Sequence, residues 1–354
     1  MNIFKKRREK ILNSAKDLEF DVVVASNLEN LYYLTGFRGS GMVIIDESKT
    51  LIFTQTLDKG KAEIQASDCE IIDVKVGNSL YDFIIEALKG RRVLFDDLRV
   101  SIADKVRERV KDVKFDPQFF YKFRRRKDYY EIECIKKAAM IIDKLFEFAN
   151  EILSVGVSER QVAGELISKA ILMGCTFPIG SASNIIIASG INSTYPHAEP
   201  TDKKLNNGDL IIVDLFFMYE GYVADATRTF GLGSLSNEVK EVYEAVREVQ
   251  ELGIKSIADG TFCKDIDKVC RDRLIKKGLA DFFIHSTGHG VGLEVHEPPW
   301  LRPNSNDVLM KGDVVTIEPG VYIPNKFGIR IEDTIYVSHN VEILTKFPKE
   351  LIIL

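Results

Sequence analysis

Asp214 stands in the run LIIVDLFF, where every other residue is apolar. A strand of that composition is buried on both faces. A bare carboxylate there is costly unless it is paired or bound to a cation. The chain turns near Glu220 and Gly221 and returns through YVADATRTFG, which carries a second acid, Asp225. If Tyr219 and Glu220 form a two-residue loop, Asp214 falls directly opposite Asp225. A slip of two residues leaves both on one face, because strand side chains alternate with period 2, whereas a three-residue loop would separate them. Two carboxylates on one face repel each other, so the pairing calls for a cation between them.

A second segment repeats the plan. In GDVVTIEPGVYIPNKFGIRIEDTIYV, with a turn at PNKFG, Glu318 and Glu332 are symmetric about Asn325 and can also face one another. Arg228 and Arg330 offer one way to neutralise these acids. The other is metal: four carboxylates balance two divalent cations, and hard oxygen ligands suit ions of the Mn²⁺, Co²⁺ or Zn²⁺ type. A fifth ligand is available in STGHGVGLEVHEPP, where Gly288 and Gly290 flank His289 and permit close backbone approach. Three of the five histidines, His197, His289 and His296, lie in polar segments punctuated by Gly and Pro.

The rest of the chain frames these hairpins. Its 354 residues suggest two domains. Residues 1–123 alternate short β-rich runs (21–26, 41–46, 50–55, 91–97) with helical patterns such as LYDFIIEALKG, which stops at Gly90. The charged stretch FRRRK (123–127) reads as a solvated linker at the boundary. Residues 124–354 read as α+β, with antiparallel hairpins covered by helices. DYYE (128–131) and SERQ (158–161) are capping boxes. Ser236 is positioned to cap a third helix, and Gly174 and Gly278 to end two others.

A net charge of −5 gives no reason to expect nucleic acid or a membrane surface as partner. Five scattered cysteines without a CxxC pair argue for a reducing compartment, and Cys263 and Cys270 read as buried thiols on a helix. The N-terminal basic residues are not followed by an apolar stretch, and no run reaches the length of a membrane span. A cytoplasmic location is expected.

The segments SGINSTYPHAEP, VDLFFMYEGYVADATRTF, HSTGHGVGLEVHEPP, TIEPGVYIP and GIRIEDT together resemble the metallopeptidase family of Xaa-Pro dipeptidases, aminopeptidase P and methionine aminopeptidase. SNLENLYYLTGFRGSGMVIID (26–46) resembles the creatinase-type N-terminal domain. The resemblance implies a pita-bread fold for the C-terminal half. Methionine aminopeptidases generally lack the N-terminal domain, which favours the proline-directed branch. Creatinase lacks the metal ligands, which argues against that enzyme. By resemblance, Asp214, Asp225, His289, Glu318 and Glu332 bind two metal ions, with Asp225 and Glu332 bridging. Glu318 also carries the proton, His197 contacts the scissile peptide and His296 stabilises the tetrahedral intermediate. The implied substrate is a small peptide with proline in second position, and the implied assembly is a homodimer. Two alternatives stand beside the dipeptidase: an aminopeptidase P acting on longer peptides, and a pita-bread protein that binds peptides without cleaving them. Arg302 and Arg330 are candidates to bind a dipeptide's carboxylate, with Arg330 expected instead to orient Glu332, and Tyr195, Trp300 and Tyr322 are candidates for the wall of the proline pocket.

Overall fold

The computed structural model describes residues 2–110, 112–176 and 185–354. The chain divides into two compact units, Met1–Arg124 and Arg125–Leu354.

The first unit runs α1 (Ile3–Lys16), β1 (Val22–Ala25), α2 (Leu28–Thr35), β2 (Gly41–Ile45), β3 (Thr50–Gln55), α3 (Thr56–Gln65), β4 (Glu70–Val74), α4 (Leu80–Ala87), β5 (Arg92–Phe95), α5 (Val100–Arg109) and β6 (Asp112–Phe115). Its strands form one sheet in the order β4-β3-β2-β1-β5-β6. The β1–β2 and β2–β3 pairs are antiparallel; β3–β4, β1–β5 and β5–β6 are parallel. Val22, Val24, Phe53, Val93 and Phe95 form a core with Ile84, Ile85 and Leu88. The four β-rich runs of the sequence are β1, β2, β3 and β5. Strands β4 and β6 were not foreseen. Both lie at the sheet's edges and carry exposed charged residues, as edge strands do to resist pairing with other chains.

The FRRRK stretch corrects an expectation. It belongs largely to a helix, α6 (Pro117–Arg125), and is not solvated. Phe123, Arg124 and Lys127 are buried. Arg124 donates to Asn30 at 3.1 Å. Arg125 forms two bonds with Asp313, at 3.1 and 2.7 Å. Lys127 pairs with buried Glu297 at 2.8 Å. The compensating groups are far away in sequence, so local composition gave no sign of them.

In the second unit, α7 (Tyr129–Ile152) begins with the expected capping box of Asp128 and Glu131 and buries Ile132, Ile135, Ala139, Ile142 and Phe146 as one stripe. Helix α8 (Glu159–Leu172) has the second box, Ser158 with Gln161. Helix α9 (Asn237–Lys255) is capped by Ser236, and α10 (Cys263–Lys276) buries Cys263 and Cys270. Gly174 and Gly278 follow α8 and α10 with φ of 87° and 71°.

The strands are β7 (Ile185–Ser189), β8 (Leu210–Tyr219), β9 (Tyr222–Gly231), β10 (Gly288–Gly290), β11 (Glu297–Leu301), β12 (Val314–Ile317), β13 (Gly320–Ile323), β14 (Phe327–Arg330), β15 (Asp333–Tyr336) and β16 (Glu342–Ile343). They form sheets β7-β8-β9 and β11-β10-β12-β15-β16, with β13–β14 as a separate hairpin. Helix α7 packs on β8 and β9, and α9 on β12, β13 and β14. The unit is α+β, with both acidic hairpins held beneath helices.

Candidate metal centre

The first hairpin turns at Glu220 and Gly221, whose φ angles are 49° and 84°. Positive φ at both loop positions is the tight turn whose twist matches paired strands. Tyr219 therefore pairs with Tyr222, Asp214 with Thr227, and Asp225 with Phe216. This register lies two residues from one that sets Asp214 directly against Asp225. Both acids stay on one face. In the second hairpin, Gly320 pairs with Arg330 and Ile317 with Asp333. That register sets Glu318 opposite Glu332 at the break between β12 and β13, where neither acid lies in a strand.

Three rungs join the hairpins, each two residues from the next. The Asp225 N–H donates to Thr334 Oγ1 at 3.0 Å, and that hydroxyl donates to the Asp225 carbonyl at 2.6 Å. The Glu332 N–H donates to the Thr227 carbonyl at 3.1 Å. The Arg330 N–H donates to Thr229 Oγ1 at 3.1 Å, and that hydroxyl donates back to the Arg330 carbonyl at 2.8 Å. This stitching brings Asp225 beside Glu332. His289 enters from β10, its N–H donating to Thr316 Oγ1 at 3.1 Å. A Cβ at Gly288 would lie 2.0 Å from the Thr316 carbonyl oxygen, and one at Gly290 would lie 2.5 Å from that of Pro298. Only glycine fits on either side of this histidine.

Ligand atoms of Asp225, His289 and Glu332 all lie within 4.8 Å of one another. His289 Nε2 is 3.4 Å from Glu318 Oε1 and 3.9 Å from Asp225 Oδ2. Its Nδ1 is 3.1 Å from the Gly290 carbonyl, which assigns the proton to Nδ1 and turns the Nε2 lone pair toward the carboxylates. Asp214, Asp225, His289 and Glu332 are buried, and Glu318 is half-buried. Asp214 Oδ1 and Asp225 Oδ1 are buried without a hydrogen-bond partner. Oxygen and nitrogen lone pairs thus converge on one dry space, and this donor set fits divalent cations.

The titration behaviour agrees. Burial, followed by the charges of Asp214 and Glu318, pushes Asp225 well above the carboxylate range. Burial, with Asp225 and Glu318, does the same to Glu332. Burial pushes Glu318 up to about 8. Burial, with His296 nearby, lowers His289 to about 3. Without metal, protons take the place of cations. Between about pH 7, above the ordinary histidine value of 6.5, and pH 8, His289 is neutral in the folded chain and mostly neutral in the unfolded one. In that window the folded carboxyls hold protons that the unfolded chain has lost, so stability falls as pH rises. The melting temperature of chelator-treated protein is expected to drop from about pH 7 to 8, as Glu318 loses its proton near pH 8. Saturating metal should largely flatten that slope. A metal-free slope of zero or of opposite sign would contradict the clustering of charge.

Arg330 is the guanidinium that enters the acid cluster among the described residues. Its Nη2 donates to Asp214 Oδ2 at 2.5 Å, its Nη1 to Tyr322 Oη at 2.6 Å and its Nε to Thr227 Oγ1 at 3.1 Å. The Thr227 hydroxyl donates to Glu332 Oε2 at 2.7 Å. Arg330 therefore reaches Glu332 only through Thr227, and its direct carboxylate partner is Asp214. Arg228 does not neutralise the cluster: it pairs with Asp333 at 2.7 Å.

His285 was missed in the sequence. Its Nδ1 lies 2.8 Å from the Ser286 carbonyl and its Nε2 lies 2.9 Å from Tyr322 Oη. Its Nδ1 is also 4.0 Å from Glu318 Oε2. Burial, with Arg330 beside it, lowers it to about 3. The available sign was its place four residues before His289 in the same segment. His296 is exposed at the rim, with its ring centroid 4.3 Å from that of His289. His197 is exposed, and its charge bears on both His285 and His296. Of the proposed pocket walls, Tyr322 is buried at the site, Trp300 stands opposite His289 under the Arg302 side chain, and Tyr195 is exposed.

An α/β unit followed by two stitched acidic hairpins around a buried cation-binding space defines a metal-dependent protein. Residues 133–339 match Metallopeptidase family M24 and residues 7–119 match the Creatinase/Prolidase N-terminal domain, and the chain belongs to the M24 metallopeptidases. It is 35% identical over 355 residues to the Xaa-Pro dipeptidase of Pyrococcus furiosus, covering 98% of this chain and 100% of that one. Among solved structures, it resembles the Xaa-Pro dipeptidase from Bacillus anthracis with a TM-score of 0.91 at 34% identity, over 99% of this chain and 100% of that one. It resembles the X-Pro aminopeptidase from Thermotoga maritima with a TM-score of 0.85 at 32% identity, over 97% and 100%. The fold is thus a creatinase-type N-terminal domain followed by a pita-bread domain. No helix among the described residues is long and apolar enough to cross a membrane.

Proposed function

We propose that this metallopeptidase is a dinuclear Xaa-Pro dipeptidase. The observation that carries the reading is the convergence of Asp225, His289 and Glu332 within 4.8 Å, with orphaned carboxylate oxygens on Asp214 and Asp225. Asp214, Asp225, His289, Glu318 and Glu332 would hold two divalent ions of the Mn²⁺, Co²⁺ or Zn²⁺ type, and cations so held would make water acidic near neutral pH and polarise a peptide carbonyl. Glu318, half-buried and between two histidines, takes the proton and passes it to the leaving nitrogen. His296 offsets negative charge on the attacked carbonyl oxygen. His197 contacts the scissile peptide. The prolyl nitrogen has no N–H, so its pocket needs an apolar wall and no acceptor there; Tyr322 supplies part of it.

The dipeptidase reading is supported by the named relatives from Pyrococcus furiosus and Bacillus anthracis. The Thermotoga maritima likeness supports a second reading, an aminopeptidase on longer peptides. We place the protein in the cytoplasm as a homodimer; five scattered cysteines without a CxxC pair suit a reducing compartment. The test is hydrolysis by Mn²⁺- or Co²⁺-loaded protein of Xaa-Pro dipeptides against Xaa-Pro-Yaa tripeptides. Cleavage of dipeptides alone is expected. Preference for tripeptides would favour the second reading, and cleavage of neither by the metal-loaded protein would overturn both.

A further inference from the structure

His197 rides on a loop whose two ends meet at one carboxylate. Glu159, the first residue of α8, is fully buried, with 0% of its surface exposed. Its Oε1 accepts from the Ser189 N–H and the Ser189 hydroxyl, both at 2.7 Å. Its Oε2 accepts from Thr201 N–H at 3.0 Å, Thr201 Oγ1 at 2.6 Å and Asn192 Nδ2 at 2.9 Å. Ser189 ends β7 just before the loop, and Thr201 lies just beyond it. The middle of the loop docks on β14: Ser193 Oγ accepts from the Gly328 N–H at 2.8 Å, and the Pro196 carbonyl accepts from Arg330 Nη1 at 3.3 Å. Glu159 is therefore joined to the metal centre through the loop that it closes, and through Ser189 to β7, which pairs with the Asp214 strand β8.

We propose that Glu159 is the positioning residue for His197, a carboxylate clamp that fixes both ends of the 190–200 loop so that the imidazole is held toward the substrate. This rests on the role given to His197 above. The chemistry requires a carboxylate. Each oxygen faces at least one backbone N–H, which can only donate, so an amide at this position sets its own NH₂ against a donor whichever way it turns. Glu159→Gln keeps the volume and opens one end of the loop.

Two measurements on the full-length, metal-loaded protein test this. Hydrogen exchange across residues 190–200 should quicken in Glu159→Gln, with α7 and the β8–β9 hairpin unchanged and the bound metal undiminished. The milder Thr201→Val removes one hydroxyl donor to Glu159 and the acceptor for the Lys203 N–H but keeps both backbone bonds to Glu159; it should quicken the same amides to a smaller degree, which covers the case that Glu159→Gln does not fold. In Xaa-Pro hydrolysis, Glu159→Gln should lower kcat/KM by up to about 10²-fold, the cost of a small misplacement. The same change made in His197→Ala should cost less than about twofold, because its target is gone. A merely structural carboxylate would cost the same in both backgrounds, and that result, or unchanged exchange in 190–200, would overturn the proposal. If wild-type protein cleaves no Xaa-Pro peptide, the substrate reading fails while the exchange measurement still decides the clamp.

Discussion

Glu318→Gln is expected to lower kcat on an Xaa-Pro substrate by about 10²–10⁴-fold, the usual contribution of a positioned proton carrier. Among the four hairpin acids, Glu318 alone is half-buried rather than buried, so it is the one most open to solvent. Its N–H donates to the Thr287 carbonyl at 2.8 Å, which fixes the backbone. Its two oxygens then face His289 at 3.4 Å and His285 at 4.0 Å. Glutamine keeps an oxygen donor for a cation but cannot carry a proton between water and leaving group. The loss should therefore fall on kcat at saturating Mn²⁺, with KM changed much less. A variant within tenfold of wild type would remove Glu318 from that role.

The second large effect has two signs. Glu332→Gln should weaken metal binding and hydrolysis severely, yet make the metal-free protein more stable. Glu332 is buried, and besides burial the charges of Asp225, Glu318 and Asp214 oppose its ionisation. A glutamine has no proton to take up on folding, so it escapes the cost of keeping this carboxyl protonated near neutral pH, and the amide oxygen still accepts from the Thr227 hydroxyl. A gain on the order of 1 kcal/mol raises a domain of this size by about 2–4 °C. Chelator-treated Glu332→Gln should melt above chelator-treated wild type. Wild type should gain about 2.7 kcal/mol from metal at a hundredfold its Kd, and the variant much less. Equal melting temperatures without metal would mean that the four acids do not strain the fold.

The hairpin acids were readable because two rules suffice for them: strand side chains alternate, and a carboxylate among apolar residues needs a partner. Those rules tolerate the two-residue difference at the first hairpin, where Glu220 and Gly221 form the loop. They do not show how the hairpins join, because hydroxyls of Thr229 and Thr334 make two of the rungs and a backbone bond makes the third. Arg330 was partly legible: two residues before Glu332, it carries the same strand alternation into the site. His285 was hidden because its partner, Tyr322, lies 37 residues away. FRRRK misled for the same reason, since Asp313 and Glu297, which take up its charge, lie far along the chain. Strands β4 and β6 escaped notice because they are short and set exposed charged residues among the apolar ones that pack on the core.

Metal stoichiometry addresses the whole scheme at once. Protein stripped with chelator would be dialysed to equilibrium against increasing Mn²⁺, with bound metal and Xaa-Pro hydrolysis measured on the same samples. Two ions per chain, with hydrolysis reaching full value as the second site fills, is the expected outcome. Binding of no Mn²⁺ or Co²⁺, or full hydrolysis in the stripped protein, would refute a dinuclear centre built on Asp214, Asp225, His289, Glu318 and Glu332.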